Sequence, residues 1–416
     1  MSKIKLNLAD WLDKITNEHT QKIDLTLERI KKIAYELNLL QPKVPTVIIG
    51  GTNGKGSTVT FLKYIYTAHG YKVGTFTSPY LFSFNEQIQI NTTHINDAKI
   101  CAAFRKINAS CKKHKISLTL FEYKTLAALI IFAKANVDII LLEVGMGGEF
   151  DATNIINADV AILTSVTKDH TKYLGNTVNK IGLTKAKISR PQKPFIIGKQ
   201  IPAAVIEYAE KINTKLLQIN KDFYYKKYGK FWQFKYKNLS FNHLSILNIL
   251  LENISLALMA AVILQKKLPL SFSNLNCAFT KFYLPGRFES IKNNPQVIID
   301  VAHNPASCKL LAINLKKKFS GQKIYAVFSM LKDKDIKNSL KYFKDLVFCW
   351  FIAKIHGDER AADLSMLKTA ILHNNTSTNI KEFGTLTDAY KAALKNNHNI
   401  PIIIFGSFST VNESQQ

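Results

Sequence analysis

The stretch that decides the fold runs from Val44 to Gly70 and reads VPTVIIGGTNGKGSTVTFLKYIYTAHG. An apolar run leads into a glycine-rich turn, and a helix-like segment closed by Gly70 follows the turn. A second strand candidate, KVGTFTS at residues 72–78, comes directly afterwards. Strand, helix and strand in this order predict a βαβ unit with parallel strands and a right-handed crossover.

The alternation of helical and extended segments continues beyond this unit. A helix-like segment at 124–135 precedes two apolar strand candidates at 137–145 and 159–166. Further strand candidates lie near the C-terminus, at 296–302, 323–330, 346–354 and 400–407. This rhythm predicts an α/β fold with parallel sheets.

The chain is long enough for two domains, and Pro285-Gly286 is the candidate boundary, which gives domains 1–286 and 287–416. Between 214 and 241, aromatic residues and lysines alternate around a Tyr-Gly-Lys turn, which predicts a β-ribbon inserted in the first domain. A long helical segment is expected to follow at 244–267.

The composition is strongly basic, with 56 Lys and Arg against 30 Asp and Glu and a formal net charge of +26. A hydrophobic fraction of 47% excludes a disordered chain. The positive field suits nucleic acid, an anionic membrane surface or an acidic small molecule, and composition bias explains it equally well. Five scattered cysteines and the absence of a long apolar stretch lead us to expect a cytoplasmic protein.

The strongest chemical signal is the loop Gly50–Ser57, which lies between a strand and a helix. Glycines let backbone amides surround phosphate oxygens, Lys55 supplies a positive charge, and the helix N-terminus adds a partial one. The spacing differs from the common G-x-x-x-x-G-K-[ST] motif because Gly56 separates Lys55 from Ser57. A glycine turn without a ligand is the alternative.

A carboxylate also ends a strand, since Glu143 closes the apolar run before Val144-Gly145. Open α/β sheets bind ligands at this edge, and Mg²⁺ prefers carboxylate and phosphate oxygens. A capping or ion-paired Glu143 is the alternative. His170 and Lys185 follow the next strand and are each weak signals alone.

Together these motifs resemble the folylpolyglutamate synthase/dihydrofolate synthase family of the Mur ligase superfamily. The resemblance covers nearly the whole chain and keeps the family's order of motifs. The matching segments are GTNGKGS at 51–57, TSPYL at 77–81, EVGMGGEFDATN at 143–154, DHTKYLG at 169–175, LPGRFE at 284–289, DVAHNP at 300–305, MLKDKDI at 330–336 and GSFSTV at 406–411.

The resemblance implies an N-terminal P-loop-type ATPase domain, a smaller Rossmann-like C-terminal domain and an active site in the cleft between them. The implied reaction is ATP-dependent amide formation. ATP phosphorylates a carboxylate of dihydropteroate or of a reduced folate, and the amine of L-glutamate then attacks the acyl phosphate. It also implies two Mg²⁺ ions and a monomer with neither a nucleic-acid nor a membrane partner.

Residue roles follow from the same resemblance. The nucleotide contacts are Gly54, Lys55, Gly56, Ser57, Asn253, Arg287 and Asp300. The metal ligands are Ser78, Glu143, His170 and Lys185, with Lys185 carried as a carbamate, and the catalytic residues are Lys185, His170 and His303. The pterin contacts are Asn17, Glu18, His19, Thr20, Thr119, Leu120, Phe121, Glu122 and Asp151.

The chain departs from the family pattern near the acceptor and second-metal positions. Tyr80 occupies a position where many members have histidine, and Gln87 and Glu149 each replace an arginine. Thr184 and Lys187 flank Lys185, where the family often has the sequence E-K-A-G. Two alternatives stay open: a Mur-type ligase that adds an amino acid to another carboxylate, and a basic nucleic-acid-binding P-loop NTPase that uses the ribbon.

Overall fold

A computed structural model describes residues 6–19, 24–271, 275–395 and 399–416. The chain divides into two compact units, Met1–Tyr283 and Leu284–Gln416. Each unit has its own apolar core, one packed around the first sheet and one around the second.

The elements of the first unit alternate along the chain. Its helices are α1 (Leu8–Glu18), α2 (Glu28–Glu36), α3 (Lys55–Ala68), α4 (Asp97–His114), α5 (Leu120–Ala135), α6 (Thr171–Leu174), α7 (Val178–Ala186), α8 (Ala203–Lys211), α9 (Leu251–Leu264) and α10 (Leu275–Lys281). Its strands are β1 (Thr46–Gly50), β2 (Val73–Phe76), β3 (Ile88–Ile90), β4 (Thr93–His94), β5 (Ile139–Glu143), β6 (Val160–Leu163), β7 (Pro194–Ile197), β8 (Lys215–Gln218), β9 (Phe223–Tyr228), β10 (Phe231–Tyr236) and β11 (Leu239–Ser245).

In the described residues the main sheet has the strand order β4-β3-β2-β5-β1-β6-β7-β8. The strands from β2 to β8 in that order run parallel, and β3 and β4 extend the edge in antiparallel pairing. Ile49 pairs with Glu143, and Gly50 pairs with Leu163. The loops that follow β1, β5 and β6 therefore leave the sheet side by side, which is where parallel sheets bind ligands.

The ribbon differs from its sequence prediction. Residues 215–218 form β8 of the main sheet, and β9, β10 and β11 make a separate antiparallel sheet that extends to Ser245. The helix expected from 244 begins only at Leu251. Burial explains the alternation of aromatics, because Phe223, Trp232 and Phe234 are fully buried and Trp232 packs against Phe279 of α10.

The second unit is a smaller α/β structure. Its helices are α11 (Pro305–Lys318), α12 (Ile336–Leu340), α13 (Leu364–Asn374), α14 (Leu386–Lys395) and α15 (Phe408–Ser414). Its strands are β12 (Glu289–Asn293), β13 (Gln296–Asp300), β14 (Ile324–Phe328), β15 (Val347–Ala353), β16 (Asn379–Phe383) and β17 (Ile402–Phe405).

The sheet of the second unit has the order β12-β13-β17-β14-β15-β16, with β12 antiparallel and the other strands parallel. The predicted α/β fold, with a parallel N-terminal sheet and a separate C-terminal α/β unit, is confirmed. Among the described helices, none combines the length and the apolar character that crossing a bilayer demands.

Candidate active site

The glycine-rich loop after β1 is anchored to the loop after β6. The Thr52 N–H donates to the Ser165 carbonyl at 2.8 Å, and the Asn53 N–H donates to Ser165 Oγ at 3.0 Å. Thr164 Oγ1 donates to the Asn53 carbonyl at 2.7 Å. These contacts fix the loop's backbone at the point where α3 begins.

Two positions in this loop require glycine. Gly51 has a φ of +142°, and a Cβ there would lie 1.9 Å from Thr164 Oγ1. Gly54, the N-cap of α3, has a φ of +90°, and a Cβ there would lie 2.4 Å from Asn253 Oδ1. Asn253 of α9 is therefore packed directly against the start of α3.

Two lysines converge on one carbonyl of the loop. Lys55 Nζ and Lys185 Nζ each donate to the Gly51 carbonyl at 3.1 Å. Burial, together with the charge of Lys55, lowers the pKa of Lys185 to about 7, although Asp169 and Asp151 oppose the shift. A helix N-terminus with two amines beside it has the electrostatics of an anion site.

Glu143 lies next to the first turn of α3. Its carboxylate is buried and accepts a hydrogen bond from the Ser78 N–H at 3.2 Å, while a Cβ on Gly56 would lie 3.6 Å from Glu143 Oε2. A carboxylate and a serine beside a phosphate-type loop are oxygen donors of the kind that Mg²⁺ prefers. The residues present thus fit a magnesium ion.

His170 is the N-cap residue of α6 and has a left-handed conformation, with a φ of 49°. Its N–H donates to Asp169 Oδ1 at 2.9 Å, and its Nε2 lies 3.9 Å from Asp169 Oδ2. Within the described ranges, no three His, Cys, Asp or Glu side chains form a ready metal cluster.

A cavity of about 220 Å³ lies in the first unit beside the β5 loop. Of the predicted pterin contacts, it brings together Thr119, Phe121, Glu122 and Asp151. The remaining lining residues are Asp24, Leu25, Thr26, Leu27, Gly145, Met146, Phe150 and Ala152. The sequence motifs do not predict that residues 24–27 line this cavity, because only the tertiary fold places that segment beside α5.

Other predicted pterin residues lie elsewhere. His19 Nδ1 is 2.9 Å from Ser117 Oγ, and Asn17 and Glu18 are exposed at the end of α1. Leu120 packs against the apolar core of the first unit, and Thr20 lies outside the described residues.

Arg29 holds two acidic groups at the cavity wall. It donates to Glu122 Oε1 at 3.2 Å and to Asp24 Oδ2. Burial alone would raise the pKa of Asp24, but hydrogen bonds from Arg29 and Thr26 outweigh burial and leave that pKa below its usual value. Glu122 also completes a capping box with Thr119 at the start of α5, so its position is fixed from two sides.

Asp151 stabilises the glycine turn after β5. Its Oδ2 accepts from the Met146 N–H at 2.9 Å, and its Oδ1 accepts from the Thr153 N–H at 3.0 Å. Burial raises its pKa, and these hydrogen bonds oppose that shift. The carboxylate therefore holds the wall of the cavity in place.

In the second unit, Asp300 ends β13 in register with Phe405 of β17. Its carboxylate accepts from the N–H groups of Phe288 and Ala302, both at 2.8 Å. Burial raises the pKa of Asp300, and the charge of Arg287 opposes the rise.

Arg287 and His303, the two other predicted site residues of this unit, both lie near the Phe408 ring. The Arg287 guanidinium lies 5.5 Å from the centre of the Phe408 ring, and the His303 ring lies 6.5 Å from it. His303 Nδ1 is 2.9 Å from the Val301 carbonyl, which orients the imidazole.

Comparison with known proteins assigns both units of the chain to one family of ligases. The Mur ligase middle domain matches residues 49–261, and the Mur ligase glutamate ligase domain matches residues 286–408. The dihydrofolate synthase/folylpolyglutamate synthase of Escherichia coli is 34% identical over 97% of this chain and 94% of its own length. The enzyme of the same name from Bacillus subtilis is 33% identical over 76% of this chain and 77% of its own. The chain belongs to the dihydrofolate synthase/folylpolyglutamate synthase family.

Solved structures of this family share the fold over the full length. E. coli FolC in complex with DHPP and ADP matches with a TM-score of 0.92 and 34% identity, covering 100% of this chain and 98% of that one. A bifunctional folylpolyglutamate synthase/dihydrofolate synthase with Mn, AMPPNP and L-glutamate bound matches with a TM-score of 0.89 and 33% identity, covering 98% and 97%. The predicted membership in the Mur ligase superfamily is confirmed.

One departure from the family pattern, Glu149, is paired with an oppositely charged residue. Glu149, which replaces an arginine, forms an ion pair of 2.6 Å with Lys187, and its N–H donates to the Thr184 carbonyl at 2.9 Å. The reversed charge at 149 is thus neutralised locally. Gln87 is buried and bonds to Lys124, while Tyr80 is exposed.

Proposed function

We propose that this protein is an ATP-dependent ligase that joins L-glutamate to dihydropteroate, to the γ-carboxylate of folates, or to both. The convergence of Lys55 and Lys185 on Gly51, at a helix N-terminus beside Glu143, carries the proposal. The ligands named for the family structures, ADP, AMPPNP, DHPP and L-glutamate, support it.

The first domain, 1–286, would hold ATP, and the second, 287–416, would serve the glutamate-ligase step. In the first domain, the amides of α3's first turn would face the phosphates of ATP, and Lys55 would add a full positive charge. The proposed nucleotide contacts are Gly54, Lys55, Gly56, Ser57, Asn253, Arg287 and Asp300, with His303 as a catalytic residue of the second unit.

Ser78 and Glu143 would hold one Mg²⁺, and His170 with Lys185 would hold a second. Bound metal would neutralise charge on the transferring phosphoryl group. The fit rests on Glu143, whose buried carboxylate contacts the Ser78 backbone beside the loop.

Lys185 suits modification by CO₂. Carbamate formation needs a neutral amine, and burial lowers the pKa of Lys185 to about 7, so a large fraction is neutral at physiological pH. An ammonium would repel a metal ion, whereas a carbamate is an anion able to bind it. We therefore propose that the working form carries carbamylated Lys185.

The cavity beside β5 would hold the pterin ring, since it is flanked by Phe121, Phe150 and Met146 and offers carboxylate acceptors to a nitrogen-rich ring. Leu120 and the segment 17–20 are further proposed contacts. The acceptor carboxylate would take the terminal phosphoryl group of ATP, releasing ADP. The amine of L-glutamate would then attack the acyl carbon, form the amide and release phosphate.

An ADP-release assay tests the proposal. ADP should form only when glutamate and a pteroate or folate are present together, and Lys55→Ala should abolish it. Parallel reactions with dihydropteroate and a reduced monoglutamyl folate would identify the acceptor. ADP release that does not depend on either acceptor would overturn the proposal, and stimulation by single-stranded DNA would favour the NTPase alternative.

We further propose a cytoplasmic monomer, which sedimentation of the purified protein and cell fractionation would test.

A further inference from the structure

Lys124 is a half-buried cation in the second turn of α5. Its Nζ lies 5.5 Å from the centre of the Phe121 ring and 5.7 Å from that of Phe84, and it donates to Gln87 Oε1 at 3.3 Å. Across the part of the chain that the structure describes, this is its one hydrogen bond, and no carboxylate pairs with it. Burial lowers its pKa to about 8. A cation that is partly removed from water and faces no opposite charge carries a desolvation cost, so the position of Lys124 calls for a reason.

The neighbours of Lys124 supply a reason, since one of them lines the cavity and another contacts the segment beside Ser78. The Phe121 ring that it contacts also lines the cavity. On the other side, Gln87 Nε2 donates to the Thr77 carbonyl at 3.4 Å, next to Ser78, whose N–H bonds to Glu143. Lys124 thus adjoins the path from the pterin pocket to the proposed magnesium site.

The cavity itself cannot attract an anion. Its lining includes Asp24, Glu122 and Asp151, and among the described residues that line it there is neither a lysine nor an arginine. Arg29 stands behind the wall and is already engaged by Asp24 and Glu122. An acceptor with a flat ring in this cavity must therefore place its negative end outside it, toward a cation.

We propose that Lys124 binds a carboxylate of the acceptor substrate. The inference rests on the proposed function, because dihydropteroate and folates both carry a carboxylate at the end remote from the pterin. Dihydropteroate has only the carboxylate that reacts, whereas a monoglutamyl folate has an α- and a γ-carboxylate. Charge-assisted hydrogen bonds of this kind are among the stronger polar contacts in proteins.

Calorimetric binding of ligand pairs tests the proposal with the full chain, ADP and Mg²⁺. The pairs are pteroate with its methyl ester, and folate with its α- and γ-methyl esters. Lys124→Met should weaken binding of the free acid about tenfold or more in at least one of these pairs and leave the matching ester unchanged. Lys63→Met is the control, because Lys63 is buried and, like Lys124, donates to a glutamine, here Gln89 at 2.7 Å.

Loss of discrimination within the pteroate pair would assign Lys124 to the reacting carboxylate. Loss confined to the folate and α-ester pair would assign it to the α-carboxylate. An equal fall for acid and ester in every pair, or no fall in any pair, would overturn the proposal. ADP release by the wild type with glutamate and dihydropteroate, measured on the same preparation, separates this result from failure of the proposed function.

Discussion

At the scale of single residues, Lys185 contacts the glycine-rich loop and is the proposed site of carbamate formation. Its amine is buried and bonds to Gly51 in the structure, and a carbamate there would add a metal-binding anion. We expect Lys185→Ala and Lys185→Arg to lower ADP release at least a hundredfold while the protein stays folded, because neither can form the carbamate. Lys180→Ala, on the exposed face of the same helix, should keep wild-type turnover.

The same residue predicts a dependence on CO₂. Wild-type activity should fall in CO₂-stripped buffer and return when bicarbonate is added, whereas the Lys185 variants should respond to neither change. ADP release measured before and after stripping checks this. Full activity of Lys185→Arg would contradict the carbamate.

The ion pair between Glu149 and Lys187 can be tested by exchanging the two charges. Their side chains are 29% and 39% exposed, so the pair should contribute only about 0.2–1 kcal/mol. Glu149→Arg should lower the free energy of unfolding by about this amount, since two cations would then face each other. The double variant Glu149→Arg/Lys187→Glu should recover it. Urea unfolding of the wild type, Glu149→Arg, Lys187→Glu and the double variant measures the coupling, and strictly additive effects would show that the pair is not coupled.

At the scale of elements, the start of α3 depends on Gly54. A side chain at its φ of +90° is strained, and a Cβ would also displace Asn253. We expect Gly54→Ala to lower the free energy of unfolding by about 2 kcal/mol and to raise the KM for ATP about tenfold or more. Gly70→Ala is the control, because Gly70 has a φ of +83° but nothing within 4 Å. Equal ATP kinetics in both variants would rule out the Asn253 contact as the cause.

The sequence predicts some elements better than others for physical reasons. The β1 to α3 unit is local, so its apolar run, glycines and helix could be recognised directly. The cavity combines residues 24–27 with side chains from the start of α5 and from the loop after β5, which only the tertiary fold brings together. The ribbon was misplaced because Lys215–Gln218 pairs with β7, a partner that no local pattern marks.

At the scale of the whole molecule, the net charge of +26 has an uneven distribution. The cavity wall carries Asp24, Glu122 and Asp151, while Lys55, Lys124 and Lys185 surround the path to the phosphate loop. The positive charge that matters for the proposed chemistry is therefore local.

Buried lysines should also shape the stability of the whole molecule with pH. Burial lowers the pKa of Lys63 from 10.5 to about 8. Between these values the unfolded chain binds more protons than the folded one, so the free energy of unfolding should rise with pH across this window. Below pH 8 both states are protonated, and the full cost of the buried charge remains.

Lys63→Met should remove this slope, which amounts to about 2 kcal/mol between pH 8 and pH 10. Urea unfolding of the wild type and the variant at both pH values measures the difference, and groups common to both proteins cancel. Lys235→Met, at an exposed position on β10, should keep the wild-type slope. Parallel pH profiles for wild type and Lys63→Met would mean that the Lys63 amine gains enough solvation in the folded state to titrate as it does in the unfolded chain.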